Sequence, residues 1–236
     1  MCGRYATTRS AGDLSGLFDS VDETGGGLVA DHNVAPTDPV PLVRVSPQGH
    51  RALSLGRWGL VLPWSRSPAG AARMINARAE TVATSRAYAR AFARRRCLVP
   101  ADGWYEWVRQ PGATKQPFYL TPRDGSVLAF AGIWSVWDGP AGALLTCSVL
   151  TTAALGDLAE VHDRMPLLLP PGRWAGWLGG DGGAAELLVP PPLDWLAGLE
   201  VRPVGPAVGD VRNDGPELIA RVPLARDAEP ENMTLF

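Results

Sequence analysis

Glycine and proline set the first limit on this chain: 27 glycines and 22 prolines are spread through 236 residues. Glycine loosens a helix and proline breaks one, so a helix bundle is excluded and a strand-and-turn architecture is favoured. With 46% hydrophobic and 19% charged residues, the chain buries a core rather than staying disordered. Its length suits one compact domain, or at most two small ones. Strands are expected at Val40–Val45, Ala52–Leu55, Trp58–Val61, Trp104–Val108, Phe118–Thr121, Val127–Trp134, Leu144–Thr151, Leu167–Leu169 and Val201–Val204. Helices are expected at Ser10–Phe18, Ala79–Arg94, Ala153–Glu160 and Arg173–Leu178. The mixed order, without regular strand–helix alternation, predicts a single α+β domain with mainly antiparallel, β-barrel-like sheets flanked by a few helices. That domain is expected to span residues 1–225, with a weakly ordered acidic tail over 226–236.

No apolar run approaches the roughly 20 residues that cross a bilayer, and the first residues lack the apolar stretch of a signal peptide. A cytoplasmic protein without a membrane partner is therefore expected. Cys2, Cys97 and Cys147 are widely spaced and form neither a zinc pattern nor a disulfide framework. His32, His50 and His162 are dispersed, and there is no phosphate-cradling glycine loop, so neither a metal nor a cofactor is expected. A net charge of −2 argues against bulk duplex binding. Lys115 is the only lysine; every other basic side chain is arginine, the better fork for phosphate.

Five places could carry chemistry. If Met1 is removed, Cys2 presents an α-amine and a thiol on one residue, a pair that condenses with an aldehyde and closes a thiazolidine ring. The plainer reading is that Cys2 merely follows an initiator Met. Asn76 and Arg78 would share one side of an extended segment, an orienting amide beside a phosphate fork, or else belong to a helix-entry loop. Arg86, Arg90 and Arg94 stand at i, i+4 and i+8, either a groove for a nucleic-acid backbone or a solvated helix face. Glu106 shares a strand face with Trp104 and Val108, which favours burial and a raised pKa over simple solvation. His162 and Arg164 lie on one side of a short segment, a proton carrier beside a cation, though a lone histidine is often structural.

Their order is more telling than any one of them. Cys2-Gly3-Arg4-Tyr5, Asn33-Val34-Ala35-Pro36-Thr37, Arg57-Trp58-Gly59-Leu60 and Asn76-Ala77-Arg78-Ala79-Glu80-Thr81 come first. Arg96-Cys97-Leu98-Val99-Pro100, Gly103-Trp104-Tyr105-Glu106-Trp107, His162-Asp163-Arg164-Met165-Pro166 and Arg212-Asn213-Asp214-Gly215-Pro216-Glu217 follow. Taken together, from Cys2 to Leu218, the chain resembles the SOS response-associated peptidase (SRAP) family, sensors of abasic sites in single-stranded DNA. The resemblance implies a covalent cross-link: Cys2 attacks the ring-opened aldehyde and ends as a thiazolidine. It implies that Asn76 holds the adduct, Glu106 shuttles protons, and His162 assists ring opening, Schiff-base chemistry and reversal. Arg78 and Arg164 would grip flanking phosphates; Arg4, and Arg86 and Arg90 of the arginine stripe, are expected as further DNA contacts on the reading of the sequence itself. Trp64 would serve as a base-stacking wedge, although Leu62 departs from the usual spacing before it. The implied partner is single-stranded DNA carrying abasic sites, met by a monomer associated with the nucleoid when engaged. The family also shows Schiff-base lyase chemistry, and its peptidase label refers to exposing Cys2. Two other readings remain: a Cys-nucleophile hydrolase using Cys2, His162 and Glu106, and a passive single-strand binder.

Overall fold

A computed structural model describes residues 2–109, 115–179 and 183–224. The expected tail, 226–236, lies outside them. In chain order the elements are β1 (Tyr5–Thr7), α1 (Ala11–Phe18), β2 (Val21–Asp22), β3 (Asp31–Val34), β4 (Pro39–Val45), β5 (Arg51–Trp58), β6 (Asn76–Arg78), α2 (Ala79–Val82) and α3 (Ala89–Arg94). Then follow β7 (Arg96–Ala101), β8 (Gly103–Val108), β9 (Gln116–Pro122), β10 (Leu128–Gly139), β11 (Gly142–Ala153), α4 (Leu158–Val161), β12 (Arg164–Pro166), α5 (Pro171–Leu178), α6 (Leu193–Leu196) and β13 (Leu199–Pro203).

Five strands close on themselves in the order β11-β10-β7-β4-β5, the ring completed by a parallel pairing of β5 with β11 at Arg57↔Thr146 and Trp58↔Cys147. The other four pairings are antiparallel. Strands β12 and β6 attach to β11, and β2 to β5. Beside this mixed barrel lies an antiparallel sheet, β13-β9-β8-β1-β3. The architecture is α+β, as the element order predicts.

Strand alternation divides the core. Phe130 of β10 joins Tyr5 and Trp104 of the flanking sheet and Leu42, Trp58, Cys97 and Cys147 of the barrel. Its neighbours Ala131 and Ile133 face a second cluster under the helices, with Leu14, Phe18, Phe92 and Trp177. The first cluster is tied by edge-on aromatic pairs: Tyr5–Trp58 at 5.1 Å and Trp104–Phe130 at 6.2 Å between ring centroids.

Several expected boundaries shift. Ala52–Leu55 and Trp58 belong to one strand, which ends where Gly59 takes a φ of 130°. A Cβ there would sit 2.5 Å from the Ala71 carbonyl oxygen, so only glycine fits. Leu167–Leu169 is no strand, although Leu168 bridges Phe130. Ala153 continues β11, which shortens the expected helix after it to α4. The continuous helix expected over Ala79–Arg94 is broken into α2 and α3. The Thr84 hydroxyl bonds the Thr81 carbonyl (3.3 Å), competing with the helical ladder, while Val82 and Phe92 both turn into the core. Arg86 therefore sits in a turn, and Arg86, Arg90 and Arg94, all exposed, do not form one helical stripe.

Candidate functional site

Register brings the start of the chain to the middle of the molecule. Strand β1 pairs with β8 at Tyr5↔Trp104, and the Tyr105 N–H donates to the Arg4 carbonyl (2.9 Å). Cys2 thereby lies alongside the Glu106 end of β8, fully buried. From the other side comes β6, laid on β11 with Asn76↔Val149. The Asn76 amide Nδ2 donates to the Cys2 carbonyl at 2.6 Å. The approach to β6 is pinned at three successive carbonyls. The Ser148 hydroxyl donates to Met74 O (2.9 Å), Trp58 Nε1 to Ile75 O (3.0 Å) and the Tyr88 hydroxyl to Asn76 O (3.2 Å).

Glu106 follows Trp104 on the same strand face and is 3% exposed. Burial pushes its carboxyl up to about 7. The Cys2 thiol is pushed well above its ordinary value, first by burial and then by the Glu106 charge, which places the two within electrostatic reach. His162 leaves α4, which packs against β8. Its Nδ1 accepts the Arg164 backbone N–H (2.9 Å) and also lies 2.8 Å from Asp163 Oδ1. A neutral ring thus carries its proton on Nε2, while a protonated ring pairs with Asp163. Burial lowers the imidazole pKa. The Asp163 charge also raises Glu106, so the His162 segment borders the same pocket.

The cations divide. Arg78 is exposed at the end of β6, opposite Thr151 of β11; Arg164 of β12 pairs with Ala153 on that strand's other edge. Arg164 forks onto Glu80 (2.6 and 2.9 Å) and donates to Thr151 O (2.6 Å). Arg4 is spent inside the fold, on Asn33 Oδ1 and Val208 O (both 2.8 Å), with its guanidinium over Trp107. Trp64, 59% exposed, shares a small cleft with Arg90 and Arg95. Cys2, Asn76, Glu106 and His162 are thus brought together, with Arg78 and Arg164 flanking them. Arg4 serves as a strut, and Trp64 and Arg90 line a separate cleft. Sequence reasoning missed Glu80, Tyr88, Ser148 and Asp163 as partners. Glu80, two residues after Arg78, and Asp163, between His162 and Arg164, carried a local signal; Tyr88 and Ser148 did not.

Beyond Glu106 opens a groove of about 660 Å³, lined by apolar residues such as Val108, Phe118, Leu158 and Leu199 and by Arg123, Asp157 and Glu160. Among the described residues no group of acidic, histidine or cysteine side chains could hold a metal ion, and no helix is long and apolar enough to cross a membrane.

The family model described as SOS response associated peptidase (SRAP) matches residues 1–211. The chain is 34% identical over 232 residues to "Abasic site processing protein YedK" of Escherichia coli (strain K12), covering 94% of this chain and 100% of that one. It is 32% identical over 223 residues to "Abasic site processing protein YoaM" of Bacillus subtilis (strain 168), covering 93% and 97%. In fold it resembles a crystal structure of a protein from Bacteroides thetaiotaomicron, with a TM-score of 0.81 at 21% identity over 94% of this chain and 100% of that one.

Proposed function

Because the chain belongs to the SOS response-associated peptidase family, we propose that it processes abasic sites in single-stranded DNA by covalent capture on Cys2 once Met1 is gone. The observation that carries this reading is the 2.6 Å bond from Asn76 to the Cys2 carbonyl beside a buried carboxyl. In the capture, the neutral Cys2 amine adds to the sugar aldehyde. Loss of water gives an imine. The thiol adds across the C=N bond and its proton ends on nitrogen, so one C–N and one C–S bond form and one water leaves.

Each neighbour has a task in that sequence. Asn76 fixes the Cys2 backbone and hence the direction of its amine. Glu106, titrating near 7, takes a proton from the ammonium and returns one to the departing hydroxyl. His162 moves protons at the sugar, for ring opening and for reversal. Arg78 and Arg164 hold the flanking phosphates, and Trp64 with Arg90 offers a base a stacking surface. The protein acts as a monomer in the cytoplasm, at the nucleoid when engaged. A cysteine hydrolase would need a thiolate favoured by its surroundings. The raised thiol of Cys2 and the lowered imidazole of His162 favour the sensor instead.

Incubating the chain, shown by intact mass to begin at Cys2, with an abasic oligonucleotide should yield a band that survives heat and SDS. Cys2→Ala should lose it. Absence of the band from protein with a free Cys2 amine rejects the proposal.

A further inference from the structure

We propose that the outer face of the five-stranded sheet carries a second site, one that binds a terminal phosphate. Alternation sends Tyr5 and Trp104 toward the barrel, while Ala6 and Tyr119 face outward. A cavity of about 250 Å³ lies on that outer face, at the Thr8–Arg9 end of the first strand rather than the Cys2 end.

Three arginines line it, Arg9, Arg123 and Arg202, with one acidic residue, Asp102; Arg123 also borders the larger groove. The carboxylate is already engaged. Its Oδ2 accepts the Thr8 N–H (2.6 Å) and the Thr8 hydroxyl (2.7 Å), and its Oδ1 accepts Arg9 Nε (3.3 Å). Behind the wall, Glu200 is shared by Arg202 and Arg221. Positive charge is therefore in excess around the cavity.

The donors are not all spent. The Arg123 guanidinium has no partner among the described residues. Arg9 uses Nε on Asp102 and Nη2 on Gly125 O (2.7 Å), which leaves Nη1. At the floor lies Tyr119, 1% exposed, whose hydroxyl makes no hydrogen bond of ordinary geometry. Thr121 stands close enough to weigh on its ionisation, but the Thr121 hydroxyl donates to Asp102 O (2.7 Å). Burial keeps the phenol protonated. The chain makes room for this oxygen: a Cβ on Gly103 would come within 2.7 Å of it. A buried hydroxyl without an acceptor is a cost that a ligand oxygen removes.

Two guanidiniums and a phenol, all donating, select an anion with several acceptor oxygens. The volume exceeds that of a bare phosphate and leaves room for an attached sugar, so the ligand is a phosphate monoester. It comes either as a small free molecule or as the phosphorylated end of a strand.

Calorimetric titration of the full chain with inorganic phosphate and with ribose 5-phosphate, in a phosphate-free chloride buffer, tests this. Saturable binding of one equivalent is expected. Arg123→Ala should weaken it by about ten-fold, the worth of a charge-assisted hydrogen bond. Tyr119→Phe should weaken it by about three-fold at an unchanged melting temperature. Lys115→Ala should leave it unchanged. An undamaged oligonucleotide with a 5′-phosphate, set against its 5′-hydroxyl twin, separates the sources. Preference for the phosphorylated strand, lost in Arg123→Ala, assigns a strand end. Equal binding of the two strands, with ribose 5-phosphate still bound, assigns a small molecule. No saturable phosphate binding, or binding that both variants leave intact, overturns the site. The strands carry no abasic site, so the result is independent of Cys2 chemistry.

Discussion

Solvent barely reaches Glu106. Its carboxyl titrates near 7 in the fold against an ordinary value of 4.5. Between those values the folded chain binds the proton that the unfolded chain has lost, so stability falls as pH rises through this window and levels off above it. The loss is at most roughly 3 kcal/mol. Denaturant melts at pH 5 and pH 8 should show this fall in the parent chain and its near absence in Glu106→Gln. The same variant should slow cross-linking by about 10²- to 10⁴-fold, the usual worth of a positioned acid–base group. Glu106's burial was legible, because Trp104 and Val108 flank it at strand spacing. Tyr88, Ser148 and Trp58 were not legible as the groups that pin the Met74–Asn76 carbonyls. Each reaches across a long stretch of chain, and no local pattern encodes such a contact.

At the scale of the element, Arg164 is held by a competitor. Its fork lies on Glu80, and that ion pair pulls the Glu80 carboxyl below its ordinary value. If Arg164 holds a phosphate as proposed, that phosphate displaces or shares the fork. Glu80→Gln should therefore strengthen single-strand binding several-fold, whereas Arg78→Ala should weaken it and flatten its salt dependence by about 0.7 in log–log slope. Fluorescence anisotropy over a salt series gives both, and an unchanged slope in Arg78→Ala removes that residue from the phosphate contacts. Glu80 itself lies in the first turn of α2, part of the helix expected as continuous from the sequence. Alanine content is a local preference, whereas the break between α2 and α3 is imposed by the Thr84 hydroxyl on the Thr81 carbonyl and by the need to bury both Val82 and Phe92. The short α1 was read correctly, because its signal is local: the Ser10 hydroxyl accepts the Asp13 N–H (3.1 Å).

For the whole molecule, the barrel and the flanking sheet share one aromatic centre, with Phe130 against both Tyr5 and Trp104. They should unfold together. Phe130→Ala is expected to cost about 3–5 kcal/mol and to lower a single transition. Near-ultraviolet and far-ultraviolet dichroism should report the same midpoint, and two separated transitions contradict the shared core. Composition and strand runs made the α+β class and the barrel-like sheets legible. The parallel closure of β5 on β11 was not, since neither strand's side-chain pattern states which distant partner completes the ring.

That closure has a bearing on how the protein is made. Trp58 meets Cys147 only after more than half of the polypeptide has left the ribosome, and the asparagine strand docks on the same late-arriving β11. Until then the first residues have no walls around them. The Cys2 that the finished fold buries is thus still open on the nascent chain, where an aminopeptidase can reach the residue before it.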